Sequence, residues 1–395
     1  MASENFQIKV ICGARFTLAA IGVNPPVFTL QASEGDMWAT KATIHIVGKN
    51  EGTTEYMKNQ PVVIEYIKAS ELETGDWIIP AQTKYGSSVE ITGLPADPDK
   101  TNAYKVRATS GDLWATNVLD ITTERAMQVP NSDFEEWYSY RIRKANGWGG
   151  KDINTFCPYL SSTSSEDRWW ETSNLTTTQE KAATWYYAMF PGTVPTTDTN
   201  WTASNHLNKF DGKSLKIEAM KNRVAVEIAT VGWGNNSWAF SPGTPEYVTP
   251  GCLYIGTYNE NNHQQVYGKP FNSRPVAVEF YYKYYSYNND KTTPYVLVKA
   301  ADGSTIGYGL LRIEQSVANF TKGVIYISYE DITKKAATFT VVFLSSDKPE
   351  GHKDGSDSAR PPYKSIKGSA GALSGYNDSR HIGSVLTVDD VKLVY

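Results

Sequence analysis

The sequence of 395 residues lacks the patterns that build membrane spans and metal clusters. No run approaches the ~18 consecutive apolar residues that a membrane-spanning helix needs. The three cysteines, Cys12, Cys157 and Cys252, lie far apart and have no metal-like spacing. An odd number leaves at least one free thiol, and Cys157 and Cys252 either pair with each other or stay buried as thiols. The small net charge of −4 argues against nucleic acid or an anionic membrane as the main partner.

Catalytic motifs are missing as well. Neither a GxSxG nucleophile elbow nor an HExxH zinc helix occurs. Glycosidases need two carboxylates on either side of a cleft, and among the 42 Asp and Glu no segment singles out an acid and a nucleophile. Cys157 has no local signature of a thiol nucleophile. The sequence therefore favours a non-catalytic protein, with a glycoside hydrolase as the enzymatic alternative.

Aromatic residues and short strand signals are abundant, with 25 Tyr and 11 Trp in the chain. Residues 1–126 contain about seven short strand signals, which are typical of an immunoglobulin-like or fibronectin type III-like sandwich. Within this part, Pro95 turns the chain, and Tyr104 follows at the position of that fold's tyrosine corner. We therefore expect the hydroxyl of Tyr104 to bond backward to the loop backbone, with Val106 and Ala108 buried beside it.

Residues 127–395 continue with strand signals at wider spacing and form the second predicted domain. Asp302-Gly303 is a hairpin turn between two of these strands. The only helix expected is a single turn after Asn174 or Thr176 as its cap. The predicted fold class is therefore all-β.

The stretch 268–285, GKPFNSRPVAVEFYYKYY, predicts a central strand with aromatic side chains on both faces. Alternation places one set in the core, namely Val276, Val278, Phe280, Tyr282 and Tyr284. The opposite face carries Glu279, Tyr281, Lys283 and Tyr285. Two interpretations of this face remain open. It is either the solvated side of an antiparallel sheet, or a platform where rings stack on sugars while flanking charges bond hydroxyls.

Three segments carry a resemblance to a known family. They are GKPF at 268–271 with YYKY at 281–284, NSDFEEW at 131–137, and GSVLTVDDVKLVY at 383–395. They resemble the Bacteroidetes carbohydrate metabolism domain family over residues 131–395. The resemblance implies a jelly-roll β-sandwich that opens with the strand NSDFEEW, closes with the strand GSVLTVDDVKLVY, and is linked to carbohydrate. It carries over no catalytic residue.

The resemblance also implies a metal site and a location. In β-sandwich carbohydrate-binding modules, the first and last strands lie side by side and commonly clamp a calcium ion. Glu135 and Asp389 stand at the matching places, and backbone carbonyls would complete the oxygen ligands. The alternative is that both are edge carboxylates, solvated or paired with Lys392. Because the family is exported, we expect an extracellular, cell-surface or periplasmic protein, although the opening MASENFQ has no leader pattern.

The predicted ligand groove combines the outer face of the central strand with tryptophans from neighbouring loops. The glycines on both sides of Trp233 favour a projecting indole. The expected ligand-binding residues are Tyr281, Lys283, Tyr285, Trp148, Trp233 and Trp238. We expect a poly- or oligosaccharide ligand and a glycan-binding or surface scaffold function in carbohydrate metabolism. The alternatives are a hydrolase with a carboxylate pair in the jelly-roll groove and a protein–protein adhesion module.

Overall fold

A computed structural model describes residues 27–48, 57, 60–85, 87–144, 151–178, 187–188, 191–196, 225–235, 245–352, 360–367 and 379–395. The chain divides into two compact units, Met1–Ala126 and Met127–Tyr395. Nearly all regular structure in the described ranges is β-strand, so the all-β prediction is confirmed. None of the described helices is long and apolar enough to cross a membrane.

The N-terminal unit is a sandwich of two sheets. Its strands are β1 (Phe28–Gln31), β2 (Lys41–Gly48), β3 (Val62–Lys68), β4 (Ala81–Tyr85), β5 (Ser88–Thr92), β6 (Ala103–Ser110), β7 (Leu113–Trp114) and β8 (Leu119–Thr122). One sheet has the order β1-β2-β5-β4, and in the other β6 pairs with β3, β7 and β8. Short 3₁₀ turns cover Glu34–Asp36 and Ala69–Glu71.

The tyrosine corner of this unit forms as expected. Tyr104 lies on β6 with its side chain fully buried, and its hydroxyl donates a hydrogen bond to the carbonyl oxygen of Pro95 at 2.7 Å. Val106 and Ala108 are buried on the same face of the strand. Buried and half-buried residues alternate along β6, because successive strand residues point to opposite faces and only one face meets the core.

The C-terminal unit contains a hairpin and two larger sheets. Its strands are β9 (Tyr138–Lys144), β10 (Lys151–Cys157), β11 (Trp170–Thr172), β12 (Tyr187–Ala188), β13 (Thr193–Thr196), β14 (Ala225–Asn235), β15 (Tyr247–Thr249), β16 (Cys252–Asn259), β17 (Gln264–Tyr267), β18 (Lys269–Pro270), β19 (Ala277–Tyr285), β20 (Tyr295–Lys299), β21 (Thr305–Leu310), β22 (Val317–Tyr326), β23 (Ser328–Tyr329), β24 (Thr338–Leu344), β25 (Gly351–His352), β26 (Lys364–Lys367) and β27 (Ser379–Val394).

The described strands pair antiparallel in both larger sheets. The first sheet has the order β22-β19-β27-β14-β15-β25, with β12, β13 and β26 added at its margins. The second has the order β11-β16-β24-β20-β21-β23, with β17 and β18 at its margins. Strand β19, predicted as central, therefore lies between β22 and the last strand β27.

Aromatic side chains hold the two sheets together. Phe280 of β19 packs edge-on against Phe343 of β24, with 5.0 Å between ring centroids, and Phe343 stacks on Trp170 of β11. Phe134 closes the cluster against Trp170 at 5.1 Å. All four rings are almost completely buried, and edge-to-face or offset contacts at these separations add to the stabilisation from burial.

Some local predictions are confirmed and others are wrong. Gly303 adopts φ +82 in the turn between β20 and β21, as a hairpin glycine should. The single helical turn spans Asn174–Thr177 and follows Ser173, so it starts slightly before the expected cap. Val276 was expected in the core but is 37% exposed, because it lies just outside β19.

The segment NSDFEEW is not the predicted opening strand. Asn131 and Phe134 have φ near +50, and these left-handed conformations break an extended backbone. The segment still lies beside the last strand, because the N–H of Val391 donates to the carbonyl oxygen of Ser132 at 2.9 Å.

Cys157 and Cys252 are both buried free thiols, so they do not pair. Burial raises the pKa of the Cys157 thiol to about 12 and also raises that of Cys252. Neither thiol has the lowered pKa of a catalytic nucleophile. Cys12 lies outside the described residues.

Candidate functional site

The outer face of β19, turned away from the core, carries the residues singled out in the sequence. Tyr281 is 44% exposed, whereas Phe280 beside it is fully buried. Tyr281 lies opposite Lys322 of β22 and opposite Asp389 of β27. Because directly opposed residues share a face, these neighbouring strands surround the Tyr281 ring with charged side chains.

A cleft of about 440 Å³ opens on this face. We call it the Tyr281 cleft. Its lining residues come from the turn before β9 and from β19, β22 and β27, and they are Asp133, Glu279, Phe280, Tyr281, Lys322, Asp390, Val391 and Lys392. The cleft is within the size range of small-molecule sites, and it combines one exposed ring with convergent polar groups.

A β-bulge in the last strand shapes the floor of the cleft. Glu279 pairs with Lys392, and Tyr281 pairs with Asp389. The single residue Phe280 therefore lies opposite two residues of β27, Asp390 and Val391. Asp390 has φ +49 at this point, which is an uncommon conformation for a residue with a Cβ atom. The bulge turns Asp390 outward, where its side chain is exposed.

The charges in the Tyr281 cleft are partly matched. The amine of Lys322 lies 2.8 Å from a carboxylate oxygen of Glu279. The hydrogen bond to Glu279 raises the pKa of Lys322 above its usual value. Asp133, Asp390 and Lys392 supply the remaining charges of the lining. Carboxylates accept hydrogen bonds and ammonium groups donate them, so the walls can bond hydroxyls of either orientation.

Lys283 and Tyr285 follow Tyr281 along the same face but do not line the cleft. The Lys283 amine lies 4.7 Å from the centroid of the Phe320 ring on β22, as in a cation–π contact. Tyr285 is half-buried and packs against the core. Of the predicted platform on β19, the cleft takes in Tyr281 and Glu279.

Trp233 does not project from the surface as expected. Its side chain is only 1% exposed and stacks on Tyr247 with 4.8 Å between ring centroids. Its Nε1–H donates to Oγ1 of Thr249 at 2.7 Å. The described part of β14 is buried along residues 225–233, so neither face of the strand offers this indole to solvent. Trp148 and Trp238 lie outside the described residues.

The predicted calcium ligands lie near the cleft. Glu135 is exposed in the turn that follows Ser132, and Asp389 is half-buried on β27 beside the bulge. Among the described residues, no group of three or more His, Cys, Asp or Glu is placed to hold a metal ion. Calcium also takes backbone carbonyls, so the calcium clamp stays a prediction.

Asp290 and Glu171 are buried carboxylates elsewhere in the C-terminal unit. Asp290 accepts hydrogen bonds from the hydroxyls of Ser346 at 3.0 Å and Ser384 at 2.8 Å, and burial raises its pKa. Glu171 of β11 is 8% exposed, and burial raises its pKa to about 7. The backbone N–H of Thr172 donates to Glu171 at 2.9 Å. Neither carboxylate lines the Tyr281 cleft.

Comparisons with known proteins return structural similarities only. No family model and no curated protein matches the chain. A solved structure described as carbohydrate-binding modules from the beta-sandwich superfamily is 7% identical, with a TM-score of 0.24, and the match covers 95% of this chain and 100% of that one. A structure of infectious bursal disease virus, Gt strain, has a TM-score of 0.18 at 7% identity and covers 92% and 54%. At such scores neither similarity carries an argument about function, and the Bacteroidetes family resemblance stays a prediction.

Proposed function

We propose that this protein binds glycans without cleaving them, through the Tyr281 cleft. The observation that carries the proposal is the 44% exposed Tyr281 ring in the wall of a concave site lined by carboxylates and amines. An aromatic ring packs against the apolar C–H face of a pyranose, while the flanking charges bond its hydroxyls. This combination suits a ligand that is apolar on one face and polar at its edge.

The proposal includes an exported protein that acts in carbohydrate metabolism as a binding or scaffold component. Its support is the resemblance of residues 131–395 to the Bacteroidetes family. Cell fractionation of the producing organism tests this part, and recovery of the full chain only from the cytoplasm would contradict it.

A glycan array with the full chain, followed by titration calorimetry on the best ligand, tests the binding proposal. Tyr281→Ala should weaken binding by about 1–3 kcal/mol, because an exposed anchor residue loses its contact area. Tyr308→Ala is the matched control, since Tyr308 is 43% exposed but lies on β21 in the other sheet. Its affinity should equal that of the unmodified protein.

Three outcomes would contradict the proposal in different ways. Equal affinities of the Tyr281→Ala and Tyr308→Ala variants would place the site elsewhere. Release of reducing sugar from any bound polysaccharide would favour the hydrolase alternative, with carboxylates of the cleft as the first candidates. If the protein binds no glycan on the array and hydrolyses none, protein–protein adhesion is favoured.

A further inference from the structure

A second exposed tyrosine lies on the same face as Tyr281. Tyr326, near the end of β22, is 76% exposed, more than any other large hydrophobic or aromatic side chain among the described residues. It lies opposite Ala277 of β19, just as Lys322 lies opposite Tyr281. Ile325 and Gly323 between them are buried, so Lys322 and Tyr326 point to the outer face together.

The two tyrosines stand at opposite ends of one strip. Tyr326 follows Lys322 by four residues, which at about 3.3 Å per strand residue is a separation of ~13 Å along β22. Val324 is half-buried in the middle of the strip and lies opposite Glu279. The Glu279–Lys322 ion pair, 2.8 Å between amine and carboxylate oxygen, lies on the same strip.

We propose that the glycan site extends from the Tyr281 cleft along β22 to Tyr326, and that it takes an uncharged oligosaccharide of several rings. This inference rests on the proposed function and deepens it. A single pyranose ring is much shorter than the separation of the two tyrosines. Only a chain of linked rings reaches both of them, and it crosses the Glu279–Lys322 ion pair on the way.

The charges along the strip favour an uncharged chain. Glu279 and Lys322 neutralise each other at 2.8 Å. In the rest of the cleft lining, Asp133 and Asp390 oppose the single amine of Lys392. An acidic polysaccharide would therefore meet more negative than positive charge, and like charges at close range are unfavourable. Hydroxyls of a neutral sugar can bond each of these groups without such a penalty.

A chain-length series tests the inference on the full chain. The probes are cello-, manno- and xylo-oligosaccharides from the monosaccharide to the hexasaccharide, titrated by calorimetry, with oligogalacturonides as acidic counterparts. In the unmodified protein, affinity should rise with chain length until the chain spans both tyrosines and then level off. Tyr326→Ala should bind the hexasaccharide about tenfold more weakly and the short sugars equally well. The Tyr308→Ala variant should keep the full length dependence.

The outcomes separate this inference from the proposed function. If Tyr281→Ala weakens binding but Tyr326→Ala leaves the dependence of affinity on chain length unchanged, the extended site is wrong, while the proposed binding at the Tyr281 cleft is still supported. Tighter binding of oligogalacturonides than of neutral chains would overturn the uncharged-ligand part alone. Absence of binding at every chain length would overturn the inference together with the proposed function.

Discussion

Replacing Trp233 by alanine should unfold the C-terminal unit more easily and leave glycan affinity unchanged. The side chain is 1% exposed and stacks on Tyr247, so its removal opens a large cavity beside β14. Truncations of buried Trp or Phe to Ala cost about 3–5 kcal/mol. Of this loss of stability, the hydrogen bond to Thr249 accounts for only about 1 kcal/mol, because the Thr249 hydroxyl still donates to Glu350.

Trp233→Phe separates the two contributions. The phenyl ring keeps most of the stack on Tyr247 but has no N–H to donate, so a loss of about 1–2 kcal/mol is expected. For domains of 150–250 residues, each 1 kcal/mol of lost stability lowers the melting temperature by about 2–4 °C. A loss of about 3–5 kcal/mol in Trp233→Ala should therefore lower the melting temperature of the C-terminal unit by about 6–20 °C.

Scanning calorimetry of the full chain measures both variants, with the transitions of the two units analysed separately because a two-unit chain need not unfold in one step. Tyr308→Ala is the control for a side chain that is exposed, and it should change stability by no more than about 0.5 kcal/mol. The reasoning fails if Trp233→Ala melts like the unmodified protein and loses affinity for a glycan. That result would mean that the indole leaves its buried position to contact the ligand.

Two further predictions concern stability. Tyr104→Phe should destabilise the N-terminal unit by only about 0.5–1.5 kcal/mol, because the hydroxyl bond to Pro95 is lost while the Pro95 carbonyl oxygen keeps a second donor, the side-chain amide of Asn102 at 3.0 Å. Calorimetry should show the other transition unchanged. Glu171 has a folded-state pKa of about 7, above its ordinary value near 4.5, so the folded state holds this proton more tightly. The stability from that proton is complete below pH ~4.5 and is lost as the pH rises to about 7, by about 3 kcal/mol at most. Urea unfolding from pH 5 to 8 should show this decline, and Glu171→Gln should flatten it; an equal decline in the variant would contradict the assignment.

Local patterns carried the predictions that the structure confirms. The hydroxyl of Tyr104 was expected to bond backward to loop backbone, and it does so at 2.7 Å from Pro95. Alternation along β19 separated the buried Val278 and Phe280 from the exposed Tyr281. Both results depend on residues close in sequence, where strand periodicity alone decides which side chain faces the core.

The composition of the cleft depends on strand register, which a single sequence does not show. Lys322 is not among the residues expected at the site, and it lies on β22, which begins at Val317. Register with β19 is what brings Lys322 opposite Tyr281. Asp133 was overlooked for a similar reason, because its segment was expected to be an extended strand and is a turn.

Trp233 was misjudged because alternation does not apply to its strand. The described residues of β14 from 225 to 233 are buried on both faces, including polar ones such as Glu227 and Thr230. On a strand covered on both faces, side chains do not alternate between core and solvent, so the period of two gives no signal. The glycines beside Trp233 suggested freedom to project, but Tyr247, directly opposite on β15, stacks on the indole and Thr249 accepts its N–H.

The bulge at Asp390 leaves a trace in the hydrophobic spacing of the last strand. In β27 residues 382–388 are buried on both faces, and beyond them Val388, Val391 and Leu393 are core positions, so a spacing of three residues precedes a spacing of two. A regular strand would turn Asp390 into the core and Val391 into solvent, because a shift of one residue reverses every side chain that follows. One extra residue at the bulge restores the alternation and leaves two consecutive aspartates outside the core. The step of three residues from Val388 to Val391 thus agrees with the acidic, irregular point on the outer face of the sheet, and the register with β19 is what shows the bulge itself.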